Sequence, residues 1–235
     1  MVFKKIDYRS MVDTVVDQVM DQILGGQLKV GDRIPPEVEF AKMMGVGRST
    51  VREALKVLEG FSLVSRSNEG TFISNPESGS LGKLFDCITA LKQIELEDLL
   101  EVRLILEARV VEIAAQRVAD GEDLSEELRL IKDLVSLENS KQATIEEMAQ
   151  INVNFHMALV NCTDNTALIE ILNMLRPVFM QSQYVTLESQ ILREGGASEG
   201  HISIIDAIEK GDPVRAMERM RSHIISAYHD IERGK

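Results

Sequence analysis

The pattern of apolar residues over the first 60 positions predicts three helices. The first follows Ser10, a residue type that caps helix N-termini, and stops at Gly25, with apolar residues every three or four positions between them. A second helix is predicted over Glu37–Met44, directly after Pro36, which suits a helix start. The apolar stripe of the third helix has positions i, i+3, i+4 and i+7, occupied by Val51, Ala54, Leu55 and Leu58.

The third predicted helix has a polar face opposite this stripe. The polar face carries Ser49, Arg52, Glu53 and Lys56. Arg48 lies at the helix N-terminus after a glycine turn over residues 45–47, where free backbone N–H groups and the helix dipole favour an anion such as phosphate. This chemistry indicates a DNA-reading helix, and the alternative is an ordinary amphipathic helix with a solvated face.

The neighbouring segments favour the DNA-reading interpretation. Leu28 to Ile34 predicts a turn and a short strand, and two β-prone segments, Leu63 to Arg66 and Thr71 to Ser74, predict a hairpin joined by residues 67–70. Helix, helix, turn, helix and hairpin in this order describe a winged helix-turn-helix. In that fold the third helix enters the major groove and the hairpin, or wing, approaches the neighbouring backbone.

The C-terminal part of the chain has helical periodicity throughout. Helices are predicted over residues 81–92, 97–119, 124–139, 144–162, 165–190, 198–210 and 213–233. The sequence therefore predicts a mainly α protein with a winged helix-turn-helix domain and its small β-hairpin wing over residues 1–75. A Pro/Gly/Ser-rich linker is expected over residues 76–82, followed by an all-α antiparallel helical bundle over residues 83–235.

The charge distribution separates the two predicted domains. The formal net charge is -12, but residues 1–75 contain 10 Lys and Arg against 10 Asp and Glu, so the excess acid lies in the C-terminal part. A neutral first domain can present a local basic face, and an acidic second domain discourages non-specific DNA binding. The acidic net charge therefore does not exclude a DNA-binding protein.

Composition also limits the cellular setting. Cys87 and Cys162 lie far apart and form no CxxC pattern, so neither a disulfide framework nor a cysteine metal site is indicated, and both are expected to be core residues. No apolar run approaches the roughly 18 residues that a membrane span requires, and the N-terminus lacks a signal core. A cytoplasmic protein without a membrane partner is expected.

The motifs, taken in order, resemble the GntR superfamily of bacterial transcription regulators. In the first domain the matching residues are Pro35-Pro36-Glu37, residues 45–55 (GVGRSTVREAL), Leu58-Glu59 and Gly70-Thr71-Phe72. The second domain resembles the all-helical ligand-sensing domain of the FadR branch. Its matching residues are Glu101-Val102-Arg103, Leu106-Glu107, Asn154-Phe155-His156, Gly200-His201, residues 205–208 (IDAI) and residues 220–224 (MRSHI).

The resemblance implies a DNA-binding role for residues of the third helix and the wing. Arg48 and Arg52 would contact guanine edges or nearby phosphates, since arginine pairs with guanine through two hydrogen bonds, and Ser49 and Thr50 would assist at the backbone. Lys56, Arg66 and Gly70 complete this predicted set. Val38, where many relatives carry arginine, and the acidic wing residue Glu69 depart from the family pattern.

The resemblance also implies a metal-containing sensor site in the second domain. Three of the four histidines, His156, His201 and His223, occupy the metal-ligand positions of the branch, and Asn152 occupies the fourth, where most relatives have aspartate. Such a ligand set suits zinc or nickel. Ordinary helix histidines and a metal-free sensor site are the alternatives. Arg103 would bind the carboxylate of an effector, although its spacing from Glu107 also suits a plain salt bridge.

Together these features predict a homodimeric, ligand-responsive transcription regulator rather than an enzyme. It would act as a repressor on a palindromic DNA operator, with a small organic acid changing its DNA affinity. A metal-dependent hydrolase built on the histidines is a rival function, but no acidic general base at a characteristic spacing accompanies them. An adaptor that kept the fold without binding DNA is a third possibility.

Overall fold

A computed structural model describes residues 10–75, 78–138, 144–177, 179–180, 183 and 198–234. The chain divides into two compact units, residues 1–81 and residues 82–235. The sequence predicts a linker over residues 76–82, but a helix already begins at Ser78. Leu81, Leu84, Phe85 and Ile88 follow at helical spacing, the pattern from which the sequence predicts a helix over residues 81–92.

The first unit contains three helices and a three-stranded sheet among its described residues. In chain order these are α1 (Met11–Leu24), β1 (Arg33–Ile34), α2 (Glu37–Met44), α3 (Arg48–Gly60), β2 (Val64–Ser67) and β3 (Gly70–Ile73). The sheet order is β1-β3-β2 with antiparallel pairing, and Phe72 of β3 lies opposite both Arg33 and Ser65. The hairpin turn is Asn68-Glu69, shorter than the sequence predicts, because Gly70 and Ser67 pair as the last residues of the ladder.

The core of the first unit forms where α1, α2 and α3 meet the sheet. Its buried residues include Val15, Val19, Ile34, Phe40, Leu55, Leu58, Val64 and Ile73. All four residues of the predicted apolar stripe of α3 are buried, at no more than 1% exposure. The opposite face of α3 is therefore directed away from the core, and the predicted winged helix-turn-helix architecture is confirmed.

The second unit is helical in every part that the structure describes. Its helices are α4 (Ser78–Lys92), α5 (Leu96–Ala119), α6 (Ser125–Glu138), α7 (Ile145–Asn161), α8 (Thr166–Met174), α9 (Ser198–Glu209) and α10 (Pro213–Gly234). Helix α5 packs against α7, α9 and α10, and these four helices carry the candidate sensor residues. None of the described helices is both long and apolar enough to cross a membrane.

The helix predicted over residues 165–190 is interrupted. Helix α8 ends at Met174, and the Leu175 N–H donates to the carbonyl oxygens of Ile171 and Leu172 in a tightened last turn. Helical conformation resumes at residues 176–177, and the Phe179 N–H donates to the carbonyl of Leu175. Pro177 lies just after the break and has no N–H to donate to the carbonyl of Asn173. Residues 178, 181–182 and 184–190 of this prediction lie outside the described residues.

Helix α5 buries charged residues as well as apolar ones. Of the apolar residues at helical spacing, Leu99 and Val110 are buried and Leu106 packs against the core, but Val102 is 39% exposed. Instead Arg103 and Glu107 lie on the buried face, between Leu100 and Val111. The expectation for the cysteines is also wrong in part, since Cys162 is buried but Cys87 is exposed.

Candidate functional site

Helix α3 exposes most of the side chains that the sequence predicts to contact DNA. Arg48, Ser49, Arg52 and Lys56 are exposed, and Thr50 is half-buried at the helix N-terminus. Gly47 precedes the helix in extended conformation without a side chain to cap it, so the first N–H groups of α3 receive no side-chain cap from this residue. Such a terminus suits a phosphate oxygen, as the sequence predicts.

Glu37, the first residue of α2, joins two of the predicted DNA-contacting arginines. The guanidinium of Arg52 donates to Glu37 through Nε at 3.1 Å and Nη2 at 2.8 Å, and Nη2 of Arg66 approaches the other carboxylate oxygen at 3.3 Å. The hydrogen bond from Arg52 lowers the pKa of Glu37. The sequence does not predict this bridge, because residues 37, 52 and 66 belong to three elements whose contact no local spacing reveals.

Arg33 of β1 forms a hydrogen bond with the turn of the wing. Nη2 of Arg33 donates to the backbone oxygen of Glu69 at 2.8 Å, so the acidic wing residue is held at its main chain. Gly70 has φ of +142°, and a Cβ there would lie 2.8 Å from Nε of Arg33. Gly70 is thus required for the close approach of Arg33 to the turn.

The second unit brings the three predicted histidine ligands together. His156 lies on α7, His201 on α9 and His223 on α10, and one ring nitrogen from each lies within 4.8 Å of the others. Nε2 of His201 and Nε2 of His223 are 3.1 Å apart, and the ring of Phe155 stacks on His201 with a centroid distance of 3.8 Å. His156 and His201 are buried, and His223 is half-buried.

Glu107 links the histidine cluster to Arg103. Nε of Arg103 donates to Oε1 of Glu107 at 2.7 Å, and Oε2 of Glu107 lies in very close contact with Nδ1 of His156. The guanidinium carbon of Arg103 lies 4.7 Å from the centre of the Phe179 ring. The salt bridge that the i, i+4 spacing allows is therefore present, and it is part of a larger buried arrangement.

The electrostatics of the cluster favour neutral imidazoles at His156 and His223 beside an ionised carboxylate. Burial lowers the pKa of His156, an effect that Glu107 partly offsets, and burial together with His201 and His156 lowers the pKa of His223 well below its usual range. Burial alone would raise the pKa of Glu107, but Arg103 and His156 hold the pKa of that carboxyl well below its ordinary value. Neutral imidazole is the form that binds metal ions.

The donor atoms fit a divalent metal ion. Nε2 of His156 and Oδ1 of Asn152 are buried, and neither has a hydrogen-bond partner among the described residues. Buried polar atoms without partners are rare in folded proteins, and a bound ion can supply the missing partner. Two nitrogen ligands about 2.1 Å from one ion lie about 3.0–3.4 Å apart, which the His201–His223 distance matches, although a hydrogen bond between the two rings also suits it.

These features define a class of protein: a transcription regulator with an N-terminal winged helix-turn-helix unit and a C-terminal helical sensor domain. The family model described as bacterial regulatory proteins of the gntR family matches residues 11–73, and the FCD domain model matches residues 98–226. The chain therefore belongs to the GntR family of bacterial transcription regulators and carries an FCD domain. This membership decides against the metal-dependent hydrolase that the histidines alone would allow.

Full-length relatives and a solved structure agree with this assignment. The chain is 28% identical to the uncharacterized HTH-type transcriptional regulator YcbG of Bacillus subtilis, over 97% of this chain and 93% of the relative. It is 26% identical to the Glc operon transcriptional activator of Escherichia coli K12, over 97% of this chain and 92% of the relative. A solved GntR protein of Streptococcus agalactiae is 30% identical, with a TM-score of 0.63, over 93% of this chain and 99% of that one.

Proposed function

We propose that this regulator binds a palindromic DNA operator and that a small carboxylate, bound beside a metal ion in the second unit, changes its DNA affinity. The cluster of buried His156 and His201 with half-buried His223 carries the sensor part of the proposal. The exposed arginine-bearing face of α3 supports the DNA part. A regulator of this kind must meet DNA, so we place it in the cytoplasm.

Arg48 and Arg52 would make the main contacts to the operator, with Ser49, Thr50 and Lys56 at the phosphates. Arg52 is 52% exposed at its side chain while it is bound to Glu37, so it is both accessible and held in a defined position. A planar guanidinium fixed in this way suits the paired hydrogen bonds that guanine offers in the major groove. Arg66 and Gly70 of the wing would lie near the adjacent backbone.

The Arg52→Ala variant tests the DNA-reading role. We expect the affinity for DNA from the promoter of its own gene to fall by about 5- to 150-fold, because a paired base contact is lost. Arg129→Ala is a matched control, since Arg129 is similarly exposed, at 58%, and also pairs with a carboxylate, but lies on α6. Fluorescence anisotropy at a fixed salt concentration measures both, and full sequence-specific binding by Arg52→Ala would contradict the role.

Asn152, His156, His201 and His223 would hold the metal ion, with zinc or nickel suited to the histidine-rich set. Asparagine contributes no negative charge where most relatives are expected to have aspartate, so the four ligands are together neutral. A divalent ion on a neutral ligand set keeps its full charge and offers an open position to a carboxylate oxygen.

The His201→Ala variant tests the metal centre. We expect the variant to retain less metal after purification than the parent, because one of the three nitrogen ligands is lost. His229→Ala removes the remaining histidine, which is outside the predicted ligand set, and serves as the control. Elemental analysis gives the metal content per mole of each protein. Equal metal content in all three proteins, or no metal in the parent, would contradict the proposed metal site and favour a metal-free sensor site.

The effector would be an organic acid that also reaches Arg103. Arginine pairs readily with carboxylates, and a guanidinium has five N–H donors, so its Nε bond to Glu107 does not by itself preclude a second carboxylate. To alter DNA binding, the acid must bind more tightly to one state of the protein than to another. A thermal-shift screen with carboxylic acids, repeated after metal removal, identifies such ligands.

We propose repression as the direction of control. One relative is the Glc operon transcriptional activator of Escherichia coli, so activation is the alternative. A reporter gene driven by the promoter distinguishes them. Higher expression after deletion of the regulator supports repression, and lower expression would identify an activator.

A further inference from the structure

Glu107 lies at the centre of a buried chain of polar groups that the predicted site does not include. Its Oε1 accepts from Nε of Arg103 at 2.7 Å, and its Oε2 lies against Nδ1 of His156. The side chains of all three residues are at most 3% exposed. Both oxygens of one carboxylate are thus engaged, one by a cation and the other by a predicted metal ligand.

We propose that Glu107 is a positioning residue for the metal centre, which holds His156 with its proton on Nδ1 and leaves the lone pair of Nε2 for the ion. This inference rests on the proposed metal function. It concerns a residue that makes no contact with the ion itself and acts through the orientation and tautomer of His156.

The hydrogen-bonding capacity of the two groups sets the tautomer. An ionised carboxylate only accepts hydrogen bonds, so the imidazole nitrogen in contact with it must carry the proton. A neutral imidazole has one proton, and Nε2 is then the acceptor. Both ring nitrogens of His156 are buried without a hydrogen bond of regular geometry among the residues that the structure describes. Only Nδ1 is in ion-pair contact with Glu107, so Nε2 is the nitrogen left for a ligand.

Arg103 balances the charge of Glu107, which allows this carboxylate to be buried beside His156. An isolated carboxylate in the interior is costly, and the guanidinium balances its charge while lying over the Phe179 ring. A simple ion pair with Arg103 could be satisfied by one carboxylate oxygen. The contact of the second oxygen with His156 is what distinguishes a positioning role from charge balance alone.

Two variants separate positioning from charge balance. Glu107→Gln keeps an acceptor oxygen but removes the charge, and Arg103→Met with Glu107→Met removes the ion pair as a unit, so that no buried charge is left without a partner. Glu112→Gln is the matched control, because Glu112 lies on the same helix and also pairs with an arginine, Arg109, outside the cluster. Circular dichroism and thermal melting of the metal-free proteins establish that each variant is folded.

Zinc affinity, measured by competition with a chromophoric chelator, is the first readout. We expect a loss of about tenfold for Glu107→Gln, a loss approaching a hundredfold for the double variant, and parent affinity for Glu112→Gln. The second readout is the nitrogen NMR spectrum of His156 in metal-free protein. It should report a proton on Nδ1 in the parent and a mixture of tautomers in the double variant.

The outcomes distinguish this inference from the proposed function. Parent zinc affinity in the folded double variant, or a parent His156 protonated on Nε2, overturns the role of Glu107 while the metal site stands. If the parent protein binds no zinc, the metal proposal fails and the role of Glu107 fails with it.

Discussion

The space that Gly200 leaves open determines where His223 can lie. Gly200 is the third residue of α9, and a Cβ built on it would lie 2.9 Å from Nδ1 of His223. This distance is shorter than nonbonded contacts of a methyl group normally allow, so one of the two groups must move if the methyl group is present. Because Gly200 has no side chain, the His223 ring can lie in this position beside His201.

Gly200→Ala should lower zinc affinity by about tenfold or more, because the displaced His223 ring no longer presents its nitrogen beside the other two. Alanine is favoured over glycine in a helix by about 1 kcal/mol, so loss of α9 is not the expected cause. Gly60→Ala is the control, since Gly60 is also helical and has open space around its Cβ position. Parent zinc affinity in Gly200→Ala, measured by chelator competition, would show that the ring tolerates the methyl group.

Local spacing explains which residue contacts the sequence could predict. The pairing of Arg103 with Glu107 follows from their i, i+4 positions on one helix, and the structure contains it. The contact of Glu107 with His156 joins residues 49 positions apart on different helices, so no periodic pattern reveals it. The salt bridge between Glu37 and Arg52 also joins two different helices, so the sequence does not predict it either. The family resemblance supplied the histidines as a set, but not the groups that surround them.

The capping box at the start of α7 fixes the helix that carries Asn152 and His156. The Thr144 hydroxyl accepts from the Glu147 N–H at 3.2 Å, and the Glu147 carboxylate accepts from the Thr144 N–H at 2.8 Å. These bonds satisfy donors that a helix N-terminus otherwise leaves without partners. A threonine followed three positions later by a glutamate is the sequence signature of such a cap.

Thr144→Ala should lower the free energy of unfolding by about 1 kcal/mol, the usual cost of losing an N-cap hydroxyl. Urea denaturation followed by circular dichroism measures the change. Ser136→Ala is the control, because that hydroxyl is exposed and bonds the Lys132 carbonyl within its own helix. An unchanged unfolding midpoint for Thr144→Ala would mean that the cap contributes nothing to stability.

Helical elements were predictable because their apolar residues repeat at a helical period, and their ends were predictable where a capping residue marks them. An apolar pattern does not reveal every helix end. It continues after Met174, where α8 ends and where Pro177 has no N–H to donate to the carbonyl of Asn173. In α5 the buried face contains Arg103 and Glu107. A rule that assigns charged residues to the surface fails where two opposite charges are buried as a pair.

Palindromic DNA recognition requires two copies of α3, and thus a symmetric dimer of the whole molecule. Helix α4 offers a candidate surface for this dimer. Leu84, Ile88 and Leu91 lie at i, i+4 and i+7 and are 50%, 40% and 83% exposed. Apolar side chains clustered on one exposed face of a helix commonly mark a protein interface, so we expect a second copy of the chain to cover them.

Leu91→Glu should convert the dimer to a monomer without unfolding the chain. A charge at a position 83% exposed in one chain costs that chain little, whereas in an apolar dimer interface it is buried without a partner. Sedimentation velocity measures the oligomeric state, and anisotropy compares a full palindrome with one half-site. The variant should lose most of the preference for the full palindrome, because the second reading helix no longer arrives with the first.

Leu24→Glu provides a matched control for this experiment, because Leu24 is 82% exposed and ends α1 in the other unit. It should remain dimeric, which would show that any loss in Leu91→Glu depends on position rather than on added charge. If Leu91→Glu remains a dimer, α4 does not form the interface. The interface would then lie at other exposed apolar residues. If the parent itself is a monomer, the two half-sites cannot be read by a preformed dimer, and DNA would have to bring the copies together.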